Sequence, residues 1–120
     1  MIETDIMRAI QVAASKSGNR LFRNNVAVGW VGHLANKPKD GIVVLKNARA
    51  LHAGLCVGSS DLIGFTRDGR FLAIEVKTDT GRATQEQRQF IAIVREFGGY
   101  AGIARSVQDA IEITNGIIHD

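Results

Sequence analysis

Two short runs of β-formers, Asp61–Thr66 and Phe71–Lys77, flank Arg67-Asp68-Gly69-Arg70, and the parity of the turn between them constrains the fold more than any other feature. In the second run successive side chains must alternate, so Phe71, Ala73, Glu75 and Lys77 share one face and Leu72, Ile74 and Val76 the other. Glu75 and Lys77 then stand roughly 6–7 Å apart along one face. Asp68-Gly69 signals a tight hairpin. With a two-residue loop, Leu62 would lie opposite Glu75 and Asp61 would point to the wrong face. With a three-residue loop, Arg67-Asp68-Gly69, ending with Gly69 in the left-handed region, Thr66 pairs with Arg70 and Asp61 falls opposite Glu75. The expectation is the three-residue loop. It brings two carboxylates to a Cα separation of roughly 4.5–5.5 Å, which calls for a cation between them.

Asp61 and Glu75 are hard oxygen ligands of the kind that suit Mg²⁺ or Mn²⁺. A lone Glu-x-Lys triplet is otherwise a solvated strand face, and a lone Asp a turn residue. Gly58-Ser59-Ser60-Asp61-Leu62-Ile63, Glu75-Val76-Lys77, Thr84-Gln85-Glu86-Gln87-Arg88-Gln89-Phe90 and Gly98-Gly99-Tyr100-Ala101, in this order and spacing, resemble the VRR-NUC domain (virus-type replication-repair nuclease) of the PD-(D/E)xK nuclease superfamily. Ser60 stands where the superfamily motif has proline. That proline shapes backbone and ligates nothing.

The resemblance implies a metal-dependent DNA endonuclease. It adds the main-chain carbonyl of Val76 to Asp61 and Glu75 as a metal ligand and makes Lys77 the group that orients or helps deprotonate the attacking water. It also turns Gln87 toward the active site, where the bland alternative is completion of a capping box with Thr84. Glu3 shares an inward helical stripe with Ile6, Met7 and Ile10, so it is either an N-terminal acid favoured by the helix dipole or an extra acid aimed at the metal. The family resemblance favours the second. Arg23, Arg82 and Arg88, with Arg20 and Arg49 behind them, are the candidate phosphate contacts. A homodimer is the family expectation.

The 120 residues fit one domain, 1–120, with a single core. A net charge of +3 and a pI near 9.4 are compatible with a polyanionic partner without proving one. One cysteine, Cys56, excludes an internal disulfide and is expected to be buried. His33, His52 and His119 lack zinc-ligand spacing, and no organic cofactor is implied. No apolar stretch approaches a membrane span, so a cytoplasmic location is expected.

Helical spacing runs from Ile2 to about Lys16, with Gly18 as its stop. Arg20 to about Val31 reads as a first strand bent around Asn24 and Asn25, with Phe22 and Trp30 as core residues. Residues 35–41 read as a loop. Ile42–Leu45, a Lys46-Asn47 turn and Arg49–Ala53 form an extra hairpin in this reading. Thr84 caps a helix with Phe90, Ile91, Val94 and Phe97 on one face, and Gly98-Gly99 ends it. Tyr100–Ala104 is a strand parallel to the Glu75 strand. Ser106 opens a last helix that Asn115-Gly116 closes.

The fold class is therefore α/β: a mixed central sheet with an αβββαβ core similar to restriction-endonuclease-like nucleases, an extra hairpin and a C-terminal helix. Three functions fit. The first is a DNA endonuclease selective for branched or four-way junction DNA in phage or bacterial replication and repair. The second is an inert nucleic-acid-binding or assembly module on the same fold, and the third a restriction-like sequence-specific nuclease.

Overall fold

The computed structural model describes residues 3–120. In chain order the elements are α1 (Glu3–Lys16), β1 (Arg20–Arg23), β2 (Ala27–Leu34), β3 (Leu45–Ala53), β4 (Leu62–Phe65), β5 (Phe71–Val76), α2 (Gln85–Glu96), β6 (Tyr100–Ala104) and α3 (Val107–Thr114). β1, β4, β5 and β6 form a four-stranded sheet in the order β1-β4-β5-β6, and β2 and β3 form a separate ribbon. β4 runs antiparallel to both β1 and β5, whereas β6 is parallel to β5. This is the expected mixed sheet with an added antiparallel hairpin.

The alternation of β5 divides the core. Leu72, Ile74 and Val76 pack with Met7 and Ile10 of α1 and Ile113 of α3. Ala73 faces the other way, into a smaller cluster with Ala83 and with Ile91 and Val94 of α2. Helices thus cover both faces, and Glu75 and Lys77 lie on the α2 side. α1 ends at Lys16, with Gly18 at positive φ just beyond it as the expected stop; Ile2, its expected first residue, lies outside the described residues. Ser106 caps α3 and Asn115 closes it.

The β4–β5 turn has the three-residue geometry. Leu62 pairs with Ile74 and Phe65 with Phe71, the Thr66 amide donates to the Arg70 carbonyl at 2.8 Å, and Gly69 has φ +84°. The Thr66 hydroxyl also donates to the Asp68 carboxylate and accepts from the Arg70 amide at 3.0 Å. Register alone therefore carries Asp61, one step beyond Leu62, to the position opposite Glu75.

Two strand readings are corrected. Arg20–Val31 is two strands in different sheets, because the chain leaves the main sheet at Asn24, whose buried side chain bonds to the 55–60 loop. The extra hairpin is longer than expected and differently paired. β2 pairs along its length with β3, and the reversal sits at Asp40-Gly41, both at positive φ, where Lys39 and Ile42 exchange amide–carbonyl bonds of 3.2 and 2.9 Å. Asn47 at φ 53° accompanies a bulge opposite Gly32 within β3 rather than a turn. Three burial expectations also fail: Trp30 is 68% exposed, Phe22 52%, and Cys56 is exposed. Among the described residues no other strand or helix lies along the ribbon from which Trp30 projects, and Phe22 occupies a part of the sheet that α2 leaves open.

Candidate active site

Glu75 is 2% exposed, near the end of β5 on the α2 side of the sheet. Its Oε2 has two partners, Lys77 Nζ at 3.2 Å and Gln87 Nε2, which donates at 3.0 Å. Its Oε1 is buried and has no hydrogen-bond partner among the described residues. A buried carboxylate oxygen left bare in this way costs free energy unless a proton or cation meets it. Burial first and the negative charge of Asp61 second push the Glu75 carboxyl up to about 7, against the pull of Lys77 in the other direction. Asp61 is fixed by the Val76 amide, which donates to its Oδ2 at 2.9 Å and leaves Oδ1 for another partner.

Gln87 completes the capping box and also reaches the Glu75 carboxylate. Its Oε1 accepts from the Thr84 amide at 2.9 Å and its amide donates to Thr84 Oγ1 at 3.1 Å, completing the capping box of α2. Its Nε2 remains for Glu75. The helix cap and the carboxylate are therefore held by one side chain.

The approach to Asp61 is built by Asn24, which sequence reading treated as a bend. Its Nδ2 donates to Ser59 Oγ at 2.8 Å and to the Ser60 carbonyl at 2.9 Å, its Oδ1 accepts from the Leu55 amide at 3.0 Å, and its own amide donates to the Asp61 carbonyl at 2.8 Å. Gly58, at φ +84°, packs this loop against the first turn of α2 so closely that an added Cβ would sit 2.5 Å from the Glu86 carbonyl oxygen. A paired asparagine before an apolar run was the one available sequence signal, and it is a weak one. Ser60 is 1% exposed with an unpartnered hydroxyl.

Glu3 opens α1 one turn before Met7, and Met7 lines a cleft of about 390 Å³ with Asn24, Asp61 and Gln87. Among the described residues the Glu3 side chain makes no hydrogen bond or ion pair, and it is not among the residues that line this cleft. Arg82 and Arg88 line a second cleft of about 820 Å³, on the β6 side of α2, together with Arg95 and Arg105. Arg95 is held by Asp120 at 2.9 Å, and Arg105 donates to the Thr78 and Gly81 carbonyls, so Arg82 and Arg88 are the exposed pair there. Arg23 ends β1 opposite Leu62, next to the Asp61 end of β4, and Arg20 lies at the other end of the same strand. Arg49 is on the separate ribbon, opposite Val31.

A further acidic group, Asp109 and Glu112 with His119, gathers on α3 and the C-terminal tail. Its atoms are already engaged: His119 Nε2 meets Glu112 Oε1 at 2.8 Å and Asp109 Oδ2 accepts from the Arg105 amide at 2.9 Å. It serves as a clamp on the tail.

A mixed sheet with helices on both faces, carrying two acids, a lysine and a glutamine at the ends of adjacent strands and a helix, defines an α/β domain of nuclease-like fold. The chain belongs to the VRR-NUC domain family, whose model matches residues 8–108. It is a nuclease-type domain, a class that acts on DNA and generally uses a divalent metal. No curated protein matches the chain. No helix among the described residues is long and apolar enough to cross a membrane.

Proposed function

We propose that this chain is a Mg²⁺- or Mn²⁺-dependent DNA endonuclease of the PD-(D/E)xK type that acts as a homodimer on branched DNA, four-way junctions included, in cytoplasmic phage or bacterial replication and repair. The observation that carries the reading is the buried, unpartnered Oε1 of Glu75 beside Asp61, with Lys77 and Gln87 on the other oxygen. A solvated strand face would leave none of these atoms bare. The donor set is all oxygen, which fits a hard cation.

Asp61, Glu75 and the carbonyl of Val76 would hold the cation, which when bound supplies the positive charge that offsets the developing charge on the phosphoryl group. Lys77 orients the attacking water and helps remove its proton. Gln87 fixes the Glu75 carboxylate, and Glu3 contributes a further acid from α1. Arg23, Arg82 and Arg88 take the flanking phosphates, which position DNA without reading its sequence. A domain of this size has little surface for base-specific recognition, so selectivity comes from DNA shape and from a second copy.

The test is nicking of labelled linear, flapped and four-way DNA in Mg²⁺ or Mn²⁺ by the wild type, Glu75→Ala and Lys77→Ala. Cleavage by the wild type alone, strongest on the branched substrates, supports the proposal. Binding without cleavage in either metal would make the chain an inert binding module, and a defined cut motif on linear duplex would make it restriction-like.

A further inference from the structure

The ribbon of β2 and β3 leaves the body of the molecule as an arm. The chain measures 50 × 30 × 29 Å with a radius of gyration of 16.7 Å, against about 14 Å for a compact chain of this length. An isolated two-stranded hairpin is marginally stable in water, so an arm of this length needs a covering surface. Among the described residues no other strand or helix provides one. Ten of the eighteen large apolar side chains exposed among the described residues fall between Val26 and Val57, with Val28 at 63% and Trp30 at 68% exposure. Strand alternation sets Val28, Trp30 and Leu34 on one face of the ribbon and Leu51 on the other, while Ile42, Val43 and Val44 form its tip.

We infer that the arm is the surface through which two copies of this chain join, each arm packing its Trp30 face against the other copy. Strand parity places Val28 and Trp30 on one face with their cross-strand partners His52 and Ala50, and that face carries no lysine or arginine. Affinity for a phosphate backbone comes from lysine and arginine, so an apolar face of this kind fits a protein surface rather than DNA. The chain leaves a second apolar surface open on its main sheet. Phe22 and Phe65 meet edge to face at 6.0 Å and are 52% and 51% exposed. A two-fold pair presents each copy's arm to the other's sheet, so one symmetric contact covers both open surfaces. The arm also begins at the site, since Val26 and Ala27 line the cleft that holds Asp61 and Gln87, and joining two copies there fixes the distance between two sites. This inference rests on the two-copy reading above and is independent of the chemistry at Glu75.

Trp30 is the sole tryptophan, so the native chain carries its own probe. Light scattering and tryptophan emission are followed together across a dilution series from tens of micromolar to nanomolar, without metal or DNA. The expected result is a dimer with blue-shifted emission at the high end that moves to the red as the dimer dissociates, and at least a hundredfold weaker dimer in Trp30→Glu with unchanged circular dichroism. If Trp30→Glu fails to fold, the emission of the wild type decides alone. A dimer whose tryptophan emission is that of an exposed indole overturns the inference and leaves the homodimer standing. A monomer at all concentrations overturns both, and emission that shifts only when DNA is added would assign the arm to nucleic acid.

Discussion

Gln87 donates from Nε2 to Glu75 Oε2 at 3.0 Å while its Oε1 accepts from the amide of Thr84, so the start of α2 and the buried carboxylate of β5 are fixed to each other by one side chain. Gln87→Ala removes both bonds. We predict a loss of about 1 kcal/mol in thermal or urea unfolding, the usual value of a helix cap, together with a drop in cleavage of tenfold or more. Gln87→Glu keeps the cap acceptor but sets a third carboxylate against Asp61 and Glu75. It should therefore fold with an intact cap, lose metal-free stability at pH 8, and regain it in Mn²⁺.

The Glu75 carboxyl, held at about 7 against its usual 4.5, gives a pH dependence with a definite sign. The folded state holds this proton more tightly than the unfolded one, so the stabilisation is complete below about pH 4.5, shrinks as pH rises, and is gone above about pH 7. The swing is on the order of 3 kcal/mol, or roughly 10 °C in Tm. In EDTA the wild type should melt lower at pH 8 than at pH 5.5, and Glu75→Gln should melt higher than the wild type at pH 8. If Glu75→Gln melts lower there, the carboxylate is not a strained group awaiting a cation.

Asn24 tethers the loop that leads into Asp61. Its side chain makes three hydrogen bonds of 2.8–3.0 Å in a buried setting, and Asn24→Ala should cost about 2–4 kcal/mol. A purely structural residue would leave metal affinity unchanged in the molecules that remain folded. A positioning residue would weaken Mn²⁺ binding about tenfold at a temperature where the variant is fully folded, which titration under native conditions measures.

Arg82 and Arg88 share one cleft wall, and Arg23 lies next to the Asp61 end of β4. Each Arg→Ala substitution should lower the slope of log K against log salt by about one, without changing which DNA shape is preferred. Fluorescence anisotropy with labelled duplex and four-way DNA in EDTA provides the measurement. Arg49→Ala, on the arm, should leave the slope unchanged.

Two Asp-Gly pairs show how much of this fold the sequence made legible. At Asp68-Gly69 the flanking runs alternate, one of them carries Glu75 and Lys77, and the need for two acids on one face selected the loop length that the register shows. At Asp40-Gly41 the same dipeptide turns the arm, yet Pro38 and the surrounding charges read as an unstructured loop, and Lys46-Asn47 offered a competing turn signal that proves to be a bulge. Helix ends were legible because Thr84, Ser106, Gly18 and Gly116 act locally. The exposure of Phe22 and Trp30 was not, because an apolar residue carries no mark of whether its own chain covers it. Nor was the role of Asn24, whose partners Leu55, Ser59 and Ser60 lie more than thirty positions away.

In the proposed site two acids from adjacent strands hold one divalent cation, and Mn²⁺ binding tests this without any assumption about substrate. Electron paramagnetic resonance at pH 8 should follow the loss of free Mn²⁺ signal on titration with wild type, Asp61→Asn and Glu75→Gln, each checked for native circular dichroism. The expected result is saturable binding by the wild type, weakened at least tenfold in both variants. Equal binding by all three proteins, or none by the wild type, would contradict it.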